Sequence, residues 1–144
     1  MPSQTFSHAV MITSPSDEIW ERLQQPATWE EIPGVDAVTD AKSAPDGSLQ
    51  GFRFTTEVAG RSYRGTATIT ESEQPVHMLN EIETSEVRGS VDLTLEESGM
   101  ETFLMAKMTV SPVGILSSMA FPVIAAAISS GFAEAVEKAA TPDL

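Results

Sequence analysis

Polar and apolar residues alternate along 6–12, with Phe6, His8, Val10 and Ile12 on one side and Ser7, Ala9 and Met11 on the other, the pattern of a half-buried strand. Ser14 then stands as a helix N-cap before Pro15, with Asp17 three residues on, where an acid can reach back to the cap amide. Ile19, Trp20 and Leu23 share one face of the short helix that follows. Pro26 opens a second helical turn carrying Trp29 and Ile32, and Pro33-Gly34 stops it. From 35 to 110 the pattern predicts six strands, at about 35–41, 49–58, 61–71, 76–83, 88–96 and 101–110.

Two turns set the register. With Ala59-Gly60 as a two-residue turn, Val58 opposes Arg61, Thr56 opposes Tyr63, Phe54 opposes Gly65 and Phe52 opposes Ala67, so the apolar sides coincide. With Ser98-Gly99 as the next turn, Leu95 opposes Thr102, Leu93 opposes Leu104 and Val91 opposes Ala106. On 76–83, Met78, Asn80 and Ile82 compete with Leu79 for the inner side, and the first set is preferred. The last 30 residues read as a helix. At 100° per residue Ile124, Ile128, Phe132 and Ala135 lie within about 60° of Phe121, while Ser130, Glu134 and Glu137 fall on the far side. Pro122 is expected to kink or restart this helix.

Composition narrows the function. The 144 residues suit one domain, and 41% hydrophobic with 20% charged residues is enough for a continuous core. Eight basic against 21 acidic residues give a net charge of −13, which repels phosphate backbones, so no nucleic-acid partner is expected. There is no cysteine, which removes disulfides, thiol nucleophiles and thiolate metal sites. The N-terminal stretch reads as no signal peptide, and the apolar run Met119 to Ile128 is too short to span a bilayer, so a cytoplasmic protein is expected. No phosphate-binding glycine pattern is present, and no cofactor is expected. His8 and His77 stand apart in sequence, so no metal site is expected either.

The order of strand, two short helices, six antiparallel strands and a long C-terminal helix resembles the helix-grip fold of the SRPBCC superfamily, which includes START domains, the major birch pollen allergen, and polyketide cyclases and dehydratases. The residues that carry the resemblance are Ile12-Thr13-Ser14-Pro15-Ser16-Asp17-Glu18-Ile19-Trp20, then Pro26, Trp29 and Pro33-Gly34-Val35, Gly51-Phe52-Arg53-Phe54, and Arg64-Gly65-Thr66-Ala67-Thr68-Ile69-Thr70-Glu71. The expected fold class is α+β, a seven-stranded curved antiparallel sheet with two short helices and a long C-terminal helix, forming one domain over 1–144. Val110-Ser111-Pro112-Val113-Gly114-Ile115-Leu116 and the Ala-rich helix after it resemble, more narrowly, the carbon monoxide dehydrogenase G-like branch.

The resemblance implies a hydrophobic cavity between sheet and helix, and binding or carriage of a lipid-like, isoprenoid or polycyclic molecule there. The alternatives it implies are a cyclase or dehydratase, or an accessory factor that delivers a lipophilic cofactor to a redox complex. The inward faces mix large residues with small ones, so a void over Gly65 and Ala67 is expected, and filling it should block uptake while leaving the fold intact. The candidate ligand-binding residues are Phe52, Phe54, Tyr63, Gly65, Ala67, Asn80, Val91, Leu93, Leu104, Phe121, Ile124 and Ile128. Tyr63, the sole tyrosine, is the best polar handle, with Asn80 able to play a similar part. No Ser-His-Asp or paired-carboxylate pattern stands out, so catalytic residues stay unassigned and weak or absent turnover is expected. His8 lies on an otherwise apolar face, where a base or ligand-binding donor is one reading and a satisfied or edge-exposed structural histidine is the preferred one.

Arg53, Arg64 and Lys107 should point outwards, on a sheet face expected to be simply solvated, with docking of an acidic partner as the alternative. Leu116, Met119 and Val123 project opposite the buried stripe, either folded back by a break at Pro122 or forming a lip that touches a membrane or client protein. A monomer or weak homodimer is expected.

Overall fold

Seven strands form one antiparallel sheet in the order β1-β7-β6-β5-β4-β3-β2: β1 Gln4–Ile12, β2 Val35–Ser43, β3 Leu49–Val58, β4 Arg61–Glu73, β5 His77–Thr84, β6 Val87–Ser98 and β7 Glu101–Pro112. The structure, a computed structural model, describes residues 3–31, 35–58 and 61–140, and the side chains at 31, 58, 61, 114–120, 124 and 127 lie outside the described set. Helix α1, Ser16–Leu23, and a 3₁₀ turn, Pro26–Glu31, connect the two edge strands, and α2, Gly114–Ala140, packs back on the sheet. The expected helix-grip architecture is therefore present.

The sheet curves where its ladder breaks. Register shifts fall between Val35 and Ala37, between Thr39 and Ser43, and between Ile69 and Glu71, and such bulges bend a strand and sharpen its twist. Asp40 takes φ 48° inside the second of these irregular stretches. In the β2–β3 loop the Ser48 hydroxyl (2.6 Å) and then its backbone N–H (3.0 Å) donate to Asp46, which holds that carboxyl below its ordinary pKa.

The β3–β4 pairing is the expected one, with Phe54 opposite Gly65 and Phe52 opposite Ala67, although the Ala59-Gly60 turn itself lies outside the described residues. The β6–β7 pairing differs from expectation by two residues. Leu95 opposes Leu104, Leu93 opposes Ala106 and Val91 opposes Met108, because the turn is Gly99-Met100 rather than Ser98-Gly99. Gly99 has φ 64°, the geometry that favours glycine at the first position of a two-residue II′ turn. A shift of two keeps every side chain on its face, so the same residues are buried either way. On β5, Met78 and Asn80 point inwards and are fully buried, as preferred.

The first helix begins differently from expectation. Pro15 (φ −67°, ψ 153°) is the cap position and offers no side chain. Glu97, at the far end of β6, accepts from the Ser16 backbone N–H (2.9 Å) and from the Ser16 hydroxyl (3.1 Å) instead. Ser14 contributes its carbonyl, which accepts from the buried Thr102 hydroxyl (2.7 Å). The β6–β7 hairpin end thus holds the β1–α1 junction, and a carboxylate at a helix N-terminus suits the dipole. Glu97→Ala is expected to cost about 1–2 kcal/mol, the range for a lost cap, checked by urea unfolding.

Helix α2 runs through Pro122 without a break, contrary to the expected restart or fold-back. Phe121, Ile128, Phe132 and Ala135 are buried along the expected stripe, with Ala140 beyond them. Ser130, Glu134 and Glu137 are exposed, as expected. Val123 is 57% exposed, while the Leu116, Met119 and Ile124 side chains lie outside the described residues.

Candidate ligand-binding site

The concave face of the sheet and the inner stripe of α2 enclose the core, and a cavity remains at one end of it. Its walls come from three places: Leu23, Thr28 and Trp29 from α1 and the 3₁₀ turn, Val91, Leu93, Leu104 and Met108 from β6 and β7, and Phe132, Ala135, Val136, Ala139 and Ala140 from the last turns of α2. Period-2 alternation on the strands and the 3.6-residue period on the helix bring these groups to a common side. The lining is almost wholly apolar. Its two polar side chains are already engaged, since the Thr28 hydroxyl donates to the Arg22 carbonyl (2.8 Å) and Trp29 Nε1–H donates to the Leu23 carbonyl (2.9 Å).

The C-terminal end of α2 beside the cavity is held by Arg22. Arg22 donates through Nε to the Ala139 carbonyl (2.6 Å) and through Nη2 to the Lys138 carbonyl (3.3 Å). These are carbonyls that a helix end leaves without intrahelical partners, and a cation is favoured there. The free volume is about 40 Å³, room for a water molecule or two, against roughly 300–1,000 Å³ for sites that hold drug-sized molecules.

The expected candidates separate in space. Val91, Leu93 and Leu104 line the cavity. Phe52, Phe54, Ala67, Phe121 and Ile128 are buried in the core beside it, and Ile124 lies outside the described side chains. The space expected over Gly65 is occupied: a Cβ built there would meet the Phe54 ring, lying against Cζ and 2.8 Å from both Cε atoms. An aromatic ring laid across a strand glycine covers the backbone that the missing side chain would expose. Phe54 then packs edge-on to Phe52 (centroids 6.3 Å), and Phe52 packs on Trp29 (5.9 Å). Tyr63 is half-buried opposite Thr56.

Asn80 is the unusual member. It is 0% exposed, and neither its amide nitrogen nor its oxygen has a hydrogen-bond partner. Its cross-strand neighbours are Ile69 and the cavity-lining Val91. Leaving such a group unpaired away from water costs about 1–3 kcal/mol. Among the described residues no other buried side-chain nitrogen or oxygen is in this state.

His8 Nε2 lies 2.9 Å from Glu137 Oε2, a contact that ties β1 to α2. His77 similarly meets Asp92 (2.9 Å). Arg53, Arg64 and Lys107 are exposed, as expected. The two arginines border a hollow of about 580 Å³ over β2–β5 together with Asp40 and Glu83, so acids there balance the bases. No group of three or more potential metal-binding side chains occurs among the described residues, and no helix among them is long and apolar enough to cross a membrane. Sequence reasoning missed the roles of Leu23, Trp29, Ala139 and Arg22 at the cavity. The one available signal was the shared apolar face of Ile19, Trp20 and Leu23 beside Trp29.

The chain matches no family model and no curated protein. Solved structures do resemble it. The Zhui aromatase/cyclase from a Streptomyces species superposes with a TM-score of 0.75 at 16% identity, over 96% of this chain and 92% of that one. A START superfamily protein from Mycobacterium smegmatis gives 0.62 at 12% identity, over 88% and 94%. The di-domain aromatase/cyclase BexL of the BE-7585A biosynthetic pathway gives 0.66 at 17%, over 99% of this chain and 51% of that one, so the chain spans about half of it. At these identities the likeness establishes the fold, which is the START-type helix grip.

Proposed function

We propose that the chain binds and carries a hydrophobic small molecule, lipid-like, isoprenoid or polycyclic, in the cavity between the sheet and the last turns of α2. The observation that carries this is the lining: twelve residues from five elements converge on one space with no titratable side chain among them. Because the free volume is about 40 Å³, the walls have to move apart to admit a ligand, and in our reading the end of α2, held by the two Arg22 hydrogen bonds, is the part that moves. A cyclase of the kind named among the neighbours, or a dehydratase, would need an acid or base at the reacting centre, and the lining supplies none, so weak or absent turnover is the reading we adopt. The resemblance of 110–116 to the carbon monoxide dehydrogenase G-like branch supports a finer version, in which the carried molecule is a lipophilic cofactor delivered to a redox complex.

The test is uptake of N-phenyl-1-naphthylamine, an uncharged probe whose fluorescence rises in apolar surroundings. Saturable binding is expected, and Ala135→Phe, which pushes a ring into the cavity from α2, should weaken it at least tenfold while circular dichroism stays unchanged. Equal binding by a folded Ala135→Phe protein would place the probe elsewhere and overturn the proposal.

A further inference from the structure

We propose that Asn80 is the hydrogen-bonding anchor of the carried molecule, which is therefore an apolar compound bearing a neutral oxygen, a ketone or a phenolic or alcoholic hydroxyl. The inference rests on the binding function above and specifies its ligand. Both polar atoms of the Asn80 carboxamide lack partners in a residue that is 0% exposed. Around it are Met78 on its own strand, Ile69 on β4 and Val91 on β6, all apolar. A leucine of similar size would pack there with no unpaired group, and no group of the protein pairs with the amide.

The link to the cavity is one strand spacing. Asn80 and Val91 are directly opposite in the β5–β6 pairing and therefore share a sheet face, and Val91 lines the cavity. A ligand larger than the present free volume that extends across the sheet from Val91 meets Asn80 next. The polar groups already in the wall, Thr28 and Trp29, have partners of their own, which leaves the amide as the group in need of one.

The chemistry selects the ligand class. A carboxamide offers two N–H donors and one carbonyl acceptor and carries no charge. A pure hydrocarbon would leave all of them unsatisfied. A carboxylate or phosphate would be desolvated against a lining with no cation to balance it. A ketone accepts from the amide N–H, and a hydroxyl donates to its oxygen, so neutral oxygen functions fit where hydrocarbons and anions do not. A site built around a buried polar group discriminates strongly against the analogue that lacks the matching atom.

Matched pairs test this: fluorene against 9-fluorenone, and naphthalene against 1-naphthol, with Kd measured by equilibrium dialysis for the wild type and for Asn80→Leu. The wild type should prefer the oxygenated member of each pair at least tenfold, although it is the less hydrophobic one, and Asn80→Leu should lose or reverse that preference. Without ligand, Asn80→Leu should melt no lower than the wild type, because the residue it removes is unpaired. Equal affinities within each pair for the wild type, or a preference unchanged in Asn80→Leu, overturns the assignment of Asn80 while leaving the binding function in place. A lowered melting temperature, or an Asn80→Leu chain that does not fold, also overturns it, since the amide must then have a partner in the empty protein. Absence of binding by either member of both pairs, with the naphthylamine probe also unbound, overturns the binding function itself.

Discussion

Gly65→Leu is expected to leave little stably folded protein, and urea unfolding together with soluble yield will register the loss. The Phe54 ring lies over this glycine, and even a Cβ would stand 2.8 Å from two of its ring carbons. Leucine adds three more carbons, so the ring has to leave its place. It cannot move alone, because Phe54 packs on Phe52 and Phe52 on Trp29, all three buried. Overpacking a core costs typically 1–3 kcal/mol and occasionally more, and a displaced aromatic cluster puts this site at the upper end or beyond, against a total stability of roughly 5–15 kcal/mol. Gly65→Ala should lose less, and combining it with Phe54→Leu should recover part of that loss, a coupling that a double-mutant cycle measures. A Gly65→Leu protein within about 0.5 kcal/mol of the wild type, the usual range for harmless surface changes, would contradict the packing described. The substitution that would have been an innocuous plug for an open void is therefore a structural lesion.

Trp29→Ala should cost about 3–5 kcal/mol, the range for deleting a large buried aromatic side chain. Trp29 stacks on Phe52 at 5.9 Å, forms part of the cavity wall, and donates Nε1–H to the Leu23 carbonyl that ends α1. Trp29→Phe keeps most of the ring area and loses the hydrogen bond, so about 1–2 kcal/mol is expected for it. The void left by alanine is apolar and joins the existing cavity, so an uncharged aromatic probe should raise the melting temperature of Trp29→Ala more than that of the wild type. A probe that stabilises both proteins equally would mean that it does not bind beside Trp29.

Much of the fold was legible because alternation is a local signal. The β1 face, the β3–β4 pairing and the α2 stripe each follow from which residues are apolar at a spacing of two or of three to four, and burial enforces those faces. The β6–β7 pairing lies two residues from the expected register, yet the same faces are buried, since only an odd shift changes a strand's inner side. Alternation likewise turns Val91, Leu93 and Leu104 inwards, to the side on which they line the cavity.

The order of elements, the face each one buries and the acidic, cysteine-free character of the chain all follow from residue order alone. The tertiary structure decided where space is left over. Whether Gly65 faces a void or a ring depends on the rotamer of Phe54 across the strand pair, and close packing lets a neighbour fill what a small residue leaves empty. The cavity's actual walls join Leu23 and Trp29 to Ala139 and Ala140, more than 100 residues apart in the chain, a contact that no local periodicity encodes. The start of α1 is decided in the same way, by Glu97 from a distant hairpin rather than by Ser14 next door. Asn80 shows both halves: alternation turns it inwards, and only the surrounding strands, which offer its amide no partner, make it a group in need of a ligand.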